Sequence, residues 1–569
     1  MNSQTNGIPE GMNSKGKLEG MHSNGKSAPL TTEATKQISL EVELISGNAT
    51  PAGTANYRDR FPDFISSFRE LGSTGLTCSA IGFGGYRVDA RVPLHRAALA
   101  LAIRKGVNII DTSANYADGN SERLVGEVLR GMIETGATKR EEIIVVTKGG
   151  YLQGENFERA RIRLESEDAD LSAGSELAEL TRYSGTLWHS IHPDFLKDQI
   201  TRSLERLQLT TIDVFLLHNP EYYIQWAIKD GVAEEDARAE YERRIHNAFA
   251  YLETEVALGR IQFYGISSNT FPRPEESIDR TSLERSLQSA ERIAKEQKLD
   301  RHHFAVIQLP LNIYEHGGVT ELNQTRATRS VIAFAREKGI GVLINRPLNA
   351  IVQNRIVRLA DFPEREFPPA EDIQDLVHDL ALQEEEFKNG ILKDIAISPQ
   401  SYEAVKQLLS LGKSLDDRWQ HIGSLEEWKD ISTTVLAPRI QYCFDLLRPI
   451  AKNEPKVFAF LTEYADSADV LIEHINNYFS TQAYNRSFAI HEVLDHFIPE
   501  EFAPLSLSQK AVTLIRSIPG VSTVLVGMRS EEYVEDIVNS LYAAQIPDAE
   551  KIWIKLGEKR VGSEVETNE

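Results

Sequence analysis

Apolar residues in this chain fall in short runs separated by amphipathic stretches. Runs at 78–82, 107–110, 142–147, 212–217, 261–266, 305–309, 341–344 and 522–526 are mostly rich in Val and Ile and apolar on both faces. That is the pattern of strands covered on both sides. Helical spacing of apolar positions occupies 94–105, 121–134, 194–207, 242–258, 282–298, 327–338 and 508–517, and a last stretch at 531–540 follows the eighth run. Gly106, Gly259 and Gly339 each stand between a helical stretch and the next run, where a helix C-terminus needs a stop. Strand and helix alternating eight times predicts a parallel sheet of α/β class, and eight such units can close into a barrel.

Two stretches break the rhythm. Residues 149–191 separate the third run from its helix and carry a charged segment at 155–170. A second interruption, 346–504, separates the seventh run from its helix and shows helical apolar spacing at 376–387, 401–411, 440–450, 458–478 and 489–497. Loops that follow barrel strands lie on the active-site face, so both inserts are expected to roof the site. The expected organisation is a disordered tail over 1–57, a barrel over 58–350, a helical insertion over 351–503, the end of the barrel over 504–545 and a C-terminal tail over 546–569. The N-terminal tail is rich in Gly, Asn, Ser and Lys, and its segment 11–17 is echoed at 20–26.

Composition narrows the function classes. The 569 residues carry a formal net charge of −22 with no basic stripe, which removes the electrostatic footprint of nucleic-acid binding. Two distant cysteines, Cys78 and Cys443, exclude a disulfide framework and fit a reducing compartment. The apolar runs are too short to span a bilayer, and the polar N-terminus lacks a secretory apolar core. No membrane association and a cytoplasmic location are expected.

The sharpest chemical signal runs from Asp111 through Tyr116 and Gly119 to Gly126, starting at the C-terminal end of the second run. A carboxylate followed five residues later by a phenol, with a glycine turning into a helix, resembles the aldo/keto reductase signature. Further matches follow in chain order: a hairpin-like segment at 69–76, Ile81-Gly82-Phe83-Gly84-Gly85, Thr147-Lys148, Leu216-Leu217-His218-Asn219-Pro220, Tyr264-Gly265-Ile266-Ser267-Ser268-Asn269, Ile307-Gln308 and Val526-Gly527-Met528-Arg529-Ser530. The resemblance implies a (β/α)8 TIM barrel with an N-terminal hairpin and a mostly helical insertion. It also implies an NADP(H)-dependent interconversion of a small-molecule carbonyl and alcohol, with NAD as the alternative cofactor.

The chemistry explains why four residue types recur. Carbonyl reduction needs a proton donor at oxygen, and a free tyrosine with a pKa near 10 is a reluctant acid. A nearby ammonium stabilises the phenolate, a carboxylate holds the ammonium, and an imidazole orients the carbonyl. By resemblance these roles fall on Tyr116, Lys148, Asp111 and His218. Taken singly, each has an ordinary reading as a cap, packing residue, surface cation or structural histidine.

For the cofactor, a dinucleotide fingerprint fails because Arg87 stands where the third glycine is needed. The resemblance instead places nicotinamide contacts on Ser267 and Gln308, with Gly85 and Tyr86 beside them. Where the family has Ser-Asn after the fifth strand, this chain has Ser267-Ser268-Asn269, so either Ser268 replaces the asparagine or Asn269 shifts inward. After the seventh strand Asn345 and Arg346 replace the usual stacking aromatic, leaving Tyr86 or an insertion residue to supply it. Gly527, Met528 and Arg529, with Asp536 on the following helix, would hold the adenosine end, and Arg529 would favour the 2′-phosphate of NADP.

His189 and His192 have H-x-x-H spacing, but Pro193 follows and no third ligand is spaced to join them, so no metal is expected. Trp188-His189 and Glu221-Tyr222-Tyr223 read either as an aromatic rim for substrate or as a packed loop interface. The alternative function is a cofactor-binding barrel acting as a regulatory or scaffold subunit, its helical insertion offered to a protein partner.

Overall fold

The computed structural model describes residues 43–558, apart from positions 353, 354, 366 and 417. Eight parallel strands close into a barrel: β1 (Ile81–Gly84), β2 (Ile109–Asp111), β3 (Ile144–Gly149), β4 (Ile212–His218), β5 (Ile261–Ser267), β6 (Phe304–Pro310), β7 (Gly341–Asn345) and β8 (Thr523–Val526). Closure is made by β8 on β1, with Val524 opposite Ile81 and Val526 opposite Phe83. Helices α1 (Pro93–Arg104), α2 (Asn120–Glu134), α3 (Pro193–Leu207), α4 (Glu234–Ala257), α5 (Leu283–Glu296), α6 (Val331–Glu337), α7 (Leu507–Arg516) and α8 (Glu531–Asn539) alternate with them. Side chains alternate along each strand as the pleat requires. Ile144, Val146, Val214, Leu216, Leu343 and Leu525 share one compact inner cluster, whereas Val145, Phe215, Leu217 and Ile266 pack outward with the helices.

The first expected strand is displaced. Cys78 belongs to a two-stranded antiparallel hairpin, Phe68–Glu70 with Thr77–Ser79, and β1 begins only at Ile81. Leu71, Leu76 and Cys78 join the inner cluster, so the hairpin closes one end of the barrel. Gly106, Gly259 and Gly339 adopt φ of 102°, 72° and 66° ahead of their strands, as helix stops do. Helix α4 starts at Glu234, earlier than the spacing predicts. Helix α6 starts late because Thr325, Arg326 and Ala327 are all left-handed (φ 51°, 54°, 58°).

Parts of both expected tails are folded, and the rest of them, 1–42 with its echoed segment and 559–569, lies outside the described residues. A helix spans Pro51–Arg58, Ile45 bridges Leu209, and the Ala49 amide donates to Asp213 Oδ1 at 2.7 Å. Asp213 also holds Arg140 (2.7 Å) and the Val145 amide (2.7 Å), so residues 45–57 are tied to the barrel through a buried carboxylate. At the other end Ala549–Glu558 is helical, with Trp553 fully buried in the main core.

The long insertion begins with a hairpin, Asn349–Val352 paired to Arg355–Arg358, and continues as helices. Its interior is a separate apolar cluster around Ile373, Val377, Trp419, Trp428 and Leu471. The two helical stretches expected at 458–478 and 489–497 are one helix of 43 residues, Pro455–Phe497. Its final turns leave that cluster, and Ile490 and Leu494 pack into the main core. The shorter insert carries a helix, Gly154–Leu164, and a two-residue pairing of Tyr151–Leu152 with Trp188–His189. Among the described residues no helix is long and apolar enough to cross a membrane.

Candidate active site

Parallel pairing of β2 and β3 sets Asp111 opposite Val146, and Lys148 lies two residues further along β3 on the same face as Val146. The chain then reverses through three successive left-handed residues, Ala117 (φ 48°), Asp118 (53°) and Gly119 (83°). Two of these carry a Cβ, a conformation that persists only where the surroundings impose it. The turn delivers Tyr116 to the strand ends. Lys148 Nζ donates to Asp111 Oδ2 (2.7 Å), to the Thr112 carbonyl (2.9 Å) and to the Tyr116 hydroxyl (3.2 Å), which uses all three ammonium protons. The ammonium is fully buried. Tyr116 is partly exposed, and its hydroxyl lies against that buried cation.

Burial pushes Asp111 up and Lys148 down, and their mutual attraction opposes both shifts. The Tyr116 phenol is raised well above its ordinary value by burial, then by Asp111 and Tyr86. The expected lowering by Lys148 is therefore not met: desolvation outweighs it, and Asp111 offsets the lysine charge. The phenol is protonated at neutral pH.

His218 ends β4, with its ring edge-on to Tyr116 at 6.0 Å and to Tyr151 at 4.6 Å. Burial, then Lys148 and His189, hold its pKa well below the usual range, so the ring is neutral. Its Nδ1 lies 3.1 Å from Ser113 Oγ, leaving Nε2 as the nitrogen free to meet a ligand. His189 Nε2 is engaged by the His218 carbonyl (2.7 Å), and His192 Nδ1 accepts from the Asp194 amide at the start of α3 (3.2 Å), so the H-x-x-H pair is spent on local structure.

The expected nicotinamide contacts form one chain. Ser267 Oγ donates to Gln308 Oε1 (3.1 Å), Asn345 Nδ2 donates to the same oxygen (3.3 Å), and Gln308 Nε2 donates to Asp111 Oδ1 (2.8 Å). Asn345 Oδ1 and Arg346 Nε are buried without a partner, although Arg346 also pairs with Glu315 at 2.8 Å. Gly85 packs so tightly on the Asp111 backbone that a Cβ would meet Asp111 O at 2.6 Å. Tyr86 is largely exposed, with its ring 5.4 Å from Tyr116. Of the two candidates after β5, Ser268 is spent: it is fully buried and bonded to Thr270 (3.1 Å) and Thr281 (2.9 Å). Asn269 is exposed, and its amide donates to Glu221 Oε1 at 2.9 Å.

After β8, Gly527 is exposed and a Cβ there would meet nothing. Met528 is fully buried in the core, so its side chain does not reach a ligand. Arg529 is half-buried, lowered by burial and then by the neighbouring Arg358 and Arg87. Asp536 is committed elsewhere: it accepts from Ser506 Oγ (2.9 Å), Ser508 Oγ and Gln509 Nε2 (3.0 Å), tying α8 to the start of α7. Sequence reasoning missed Ser113, Tyr151 and Arg358, and it named Glu221 only within an aromatic cluster. Ser113 stands within the signature segment. Arg358 comes from the insertion hairpin, where no family pattern points to it.

An aldo/keto reductase family model matches residues 80–416, more than half of the 569-residue chain. The chain belongs to the aldo/keto reductase family. Within it, this member is 27% identical over 187 residues to a 6-dehydroglucose reductase of Novosphingobium aromaticivorans, covering 30% of this chain and 50% of that protein. It is 26% identical over 161 residues to an NADH-specific methylglyoxal reductase of Escherichia coli, covering 26% of this chain and 40% of that protein. The chain thus spans half or less of the length of these curated relatives. Among solved structures, an aldo-keto reductase from Bacillus halodurans in its holo form aligns with a TM-score of 0.40 and 15% identity, over 86% of this chain and 96% of that one.

Proposed function

We propose that this aldo/keto reductase interconverts a small-molecule carbonyl and its alcohol with a nicotinamide dinucleotide, NADP(H) in preference to NAD(H). The observation that carries the reading is Lys148 joined to both Asp111 and Tyr116 at the C-terminal ends of β2 and β3, with a neutral His218 beside them. The reductase names of its relatives accord with it. The residues fit the cofactor. The unpaired Asn345 Oδ1 and the remaining N–H of Gln308 match the donor and acceptor of a carboxamide. Arg529 and Arg358 offer cations to a phosphate, with Arg87 close by, paired at 3.8 Å with Asp430 of the insertion.

When bound, the nicotinamide supplies or receives the hydride. Tyr116, protonated at neutral pH, gives its proton to the carbonyl oxygen in reduction and takes it back in oxidation. The ammonium of Lys148 stabilises the resulting phenolate, and Asp111 fixes that ammonium in place. His218 Nε2–H orients the oxygen with a second hydrogen bond. Titration with NADPH and NADH, followed by tryptophan quenching, tests the cofactor. Tyr116→Phe tests the chemistry, with cofactor affinity retained and turnover reduced on the order of 10² to 10⁴-fold. A Phe variant as active as the parent overturns the reading.

A further inference from the structure

Between α4 and α5, on the outer wall of the barrel, lies a cavity of about 440 Å³ lined by Arg238, Arg280, Arg285 and Arg292. Glu242 is the one carboxylate in its lining. Four guanidinium groups around one pocket stand out in a chain whose formal net charge is −22. Two of them have no ion pair among the described residues. Arg238 donates to the carbonyls of Arg280 (3.0 Å), Ser277 (3.2 Å) and Ile278, and Arg280 donates to the Asn323 carbonyl (2.8 Å) while only 8% exposed. Backbone carbonyls fix the geometry of these groups, and the carboxylates that act on them, Glu242 and Asp279 on Arg238 and Glu275 and Glu284 on Arg280, do so without a direct ion pair. Arg285 is paired with Glu242, and Arg292 donates to His246 Nδ1 at 2.9 Å with Glu296 a distant 3.9 Å away.

Like charges gathered at partial burial repel, and a counter-ion of high charge density relieves that cost. Arg238 is lowered by burial and then by Arg285, with Glu242 and Asp279 opposing; Arg280 is lowered by burial, Glu275 opposes this, and Arg238 and Arg285 add to the lowering. Hydroxyls complete the donor set. Ser289 faces the pocket, and Ser282, also in its lining, caps α5, whose N-terminal dipole favours negative charge. The volume lies within the range of small-ligand sites, roughly 300–1,000 Å³. We propose that this pocket binds a small, multiply charged oxyanion of the phosphate-ester or diphosphate class, separately from the strand-end site.

The test is calorimetric titration of the full chain with inorganic pyrophosphate at constant ionic strength, with NADPH present at saturation so that the barrel mouth is occupied. Arg285 and Glu242 are exposed, at 55% and 41%, so their replacement leaves the core untouched. Arg285→Gln removes a cation and frees Glu242 to repel the anion, so pyrophosphate binding is expected to weaken about tenfold. Glu242→Gln frees Arg285 and removes the carboxylate, so binding is expected to tighten severalfold. Opposite responses at adjacent exposed positions support the site. Absence of pyrophosphate binding to the parent chain, or binding that both variants leave unchanged, overturns it.

Discussion

Gln308 Nε2 donates to Asp111 Oδ1 at 2.8 Å, so the carboxylate that anchors Lys148 is also held from β6. Because Ser267 and Asn345 both donate to Gln308 Oε1, one amide links the ends of β2, β5, β6 and β7. Gln308→Leu removes all three bonds and leaves Asn345 with neither amide atom paired. Each lost bond to a buried group costs about 1 kcal/mol or more, so NADPH affinity is expected to fall at least about tenfold. Fluorescence titration checks this. An unchanged dissociation constant would remove Gln308 from the cofactor site.

Ser113 contacts the ring nitrogen of His218 whose protonation defines its tautomer. The proposed mechanism needs the imidazole proton on Nε2, and that tautomer requires Ser113 Oγ to donate to Nδ1 across 3.1 Å. The same hydroxyl lies 2.7 Å from Asn115 Oδ1, which competes for its proton. Ser113→Ala leaves Nδ1 without that donor. The expected outcome is about a tenfold loss in kcat/KM for a carbonyl substrate, with NADPH affinity unaltered. Steady-state kinetics beside a binding titration separates the two effects.

Glu221 is fully enclosed, and burial pushes its carboxyl up to about 7, above the ordinary 4.5. The folded state therefore holds a proton that the unfolded chain releases. Stability is greatest below about pH 4.5 for this group and declines as pH rises toward 7, by roughly 3 kcal/mol in all. Glu221→Gln keeps an oxygen for the Asn269 amide and removes the titration. Urea melts of the two proteins are expected to converge near pH 5 and to separate near pH 8, with the Gln variant more stable. A gap that does not change with pH would assign the group an ordinary pKa.

Periodicity carried the fold in the sequence because barrel strands repeat one local rule eight times. It failed where tertiary packing overrode local pattern. Cys78 reads as continuous with Ile81, yet the two lie in different sheets. The polar segment 45–57 looks too weakly apolar to fold, but the buried Asp213 binds its backbone. At the site, residues of the signature segment and strand ends were legible because their spacing is local. Asp536 was misread because its partners, Ser506 and Ser508, lie just beyond the long insertion. Ser268 was left open because its engagement with Thr281 depends on how a later loop folds back.

Arg358, from the insertion hairpin, stands beside Arg529, the cation proposed for the cofactor phosphate. Its guanidinium lies over the Tyr533 ring at 5.7 Å, and its charge, after burial, lowers the pKa of Arg529. Arg358→Ala is expected to weaken NADPH binding about tenfold and leave NADH binding unchanged, since only the former carries the extra phosphate. Equal losses for both dinucleotides would assign Arg358 to the shared diphosphate instead.

The helix Pro455–Phe497 runs through two separate interiors, and this makes the independence of the insertion testable. Leu471 is fully buried in the insertion's own cluster, while Leu494, 1% exposed, lies in the cluster of the barrel. Truncating either to alanine is expected to cost about 2–5 kcal/mol locally. If the insertion unfolds as its own unit, Leu471→Ala lowers hydrogen-exchange protection across 370–480 and spares both β3 and NADPH binding. Leu494→Ala lowers protection in the barrel and weakens NADPH binding as its folded population falls. Excision of 361–499 would strip Ile490, Leu494 and Ile498 from the barrel core and is expected to give aggregation rather than a bare barrel. Identical exchange patterns for the two point variants would show instead that the long helix couples both interiors into one cooperative unit.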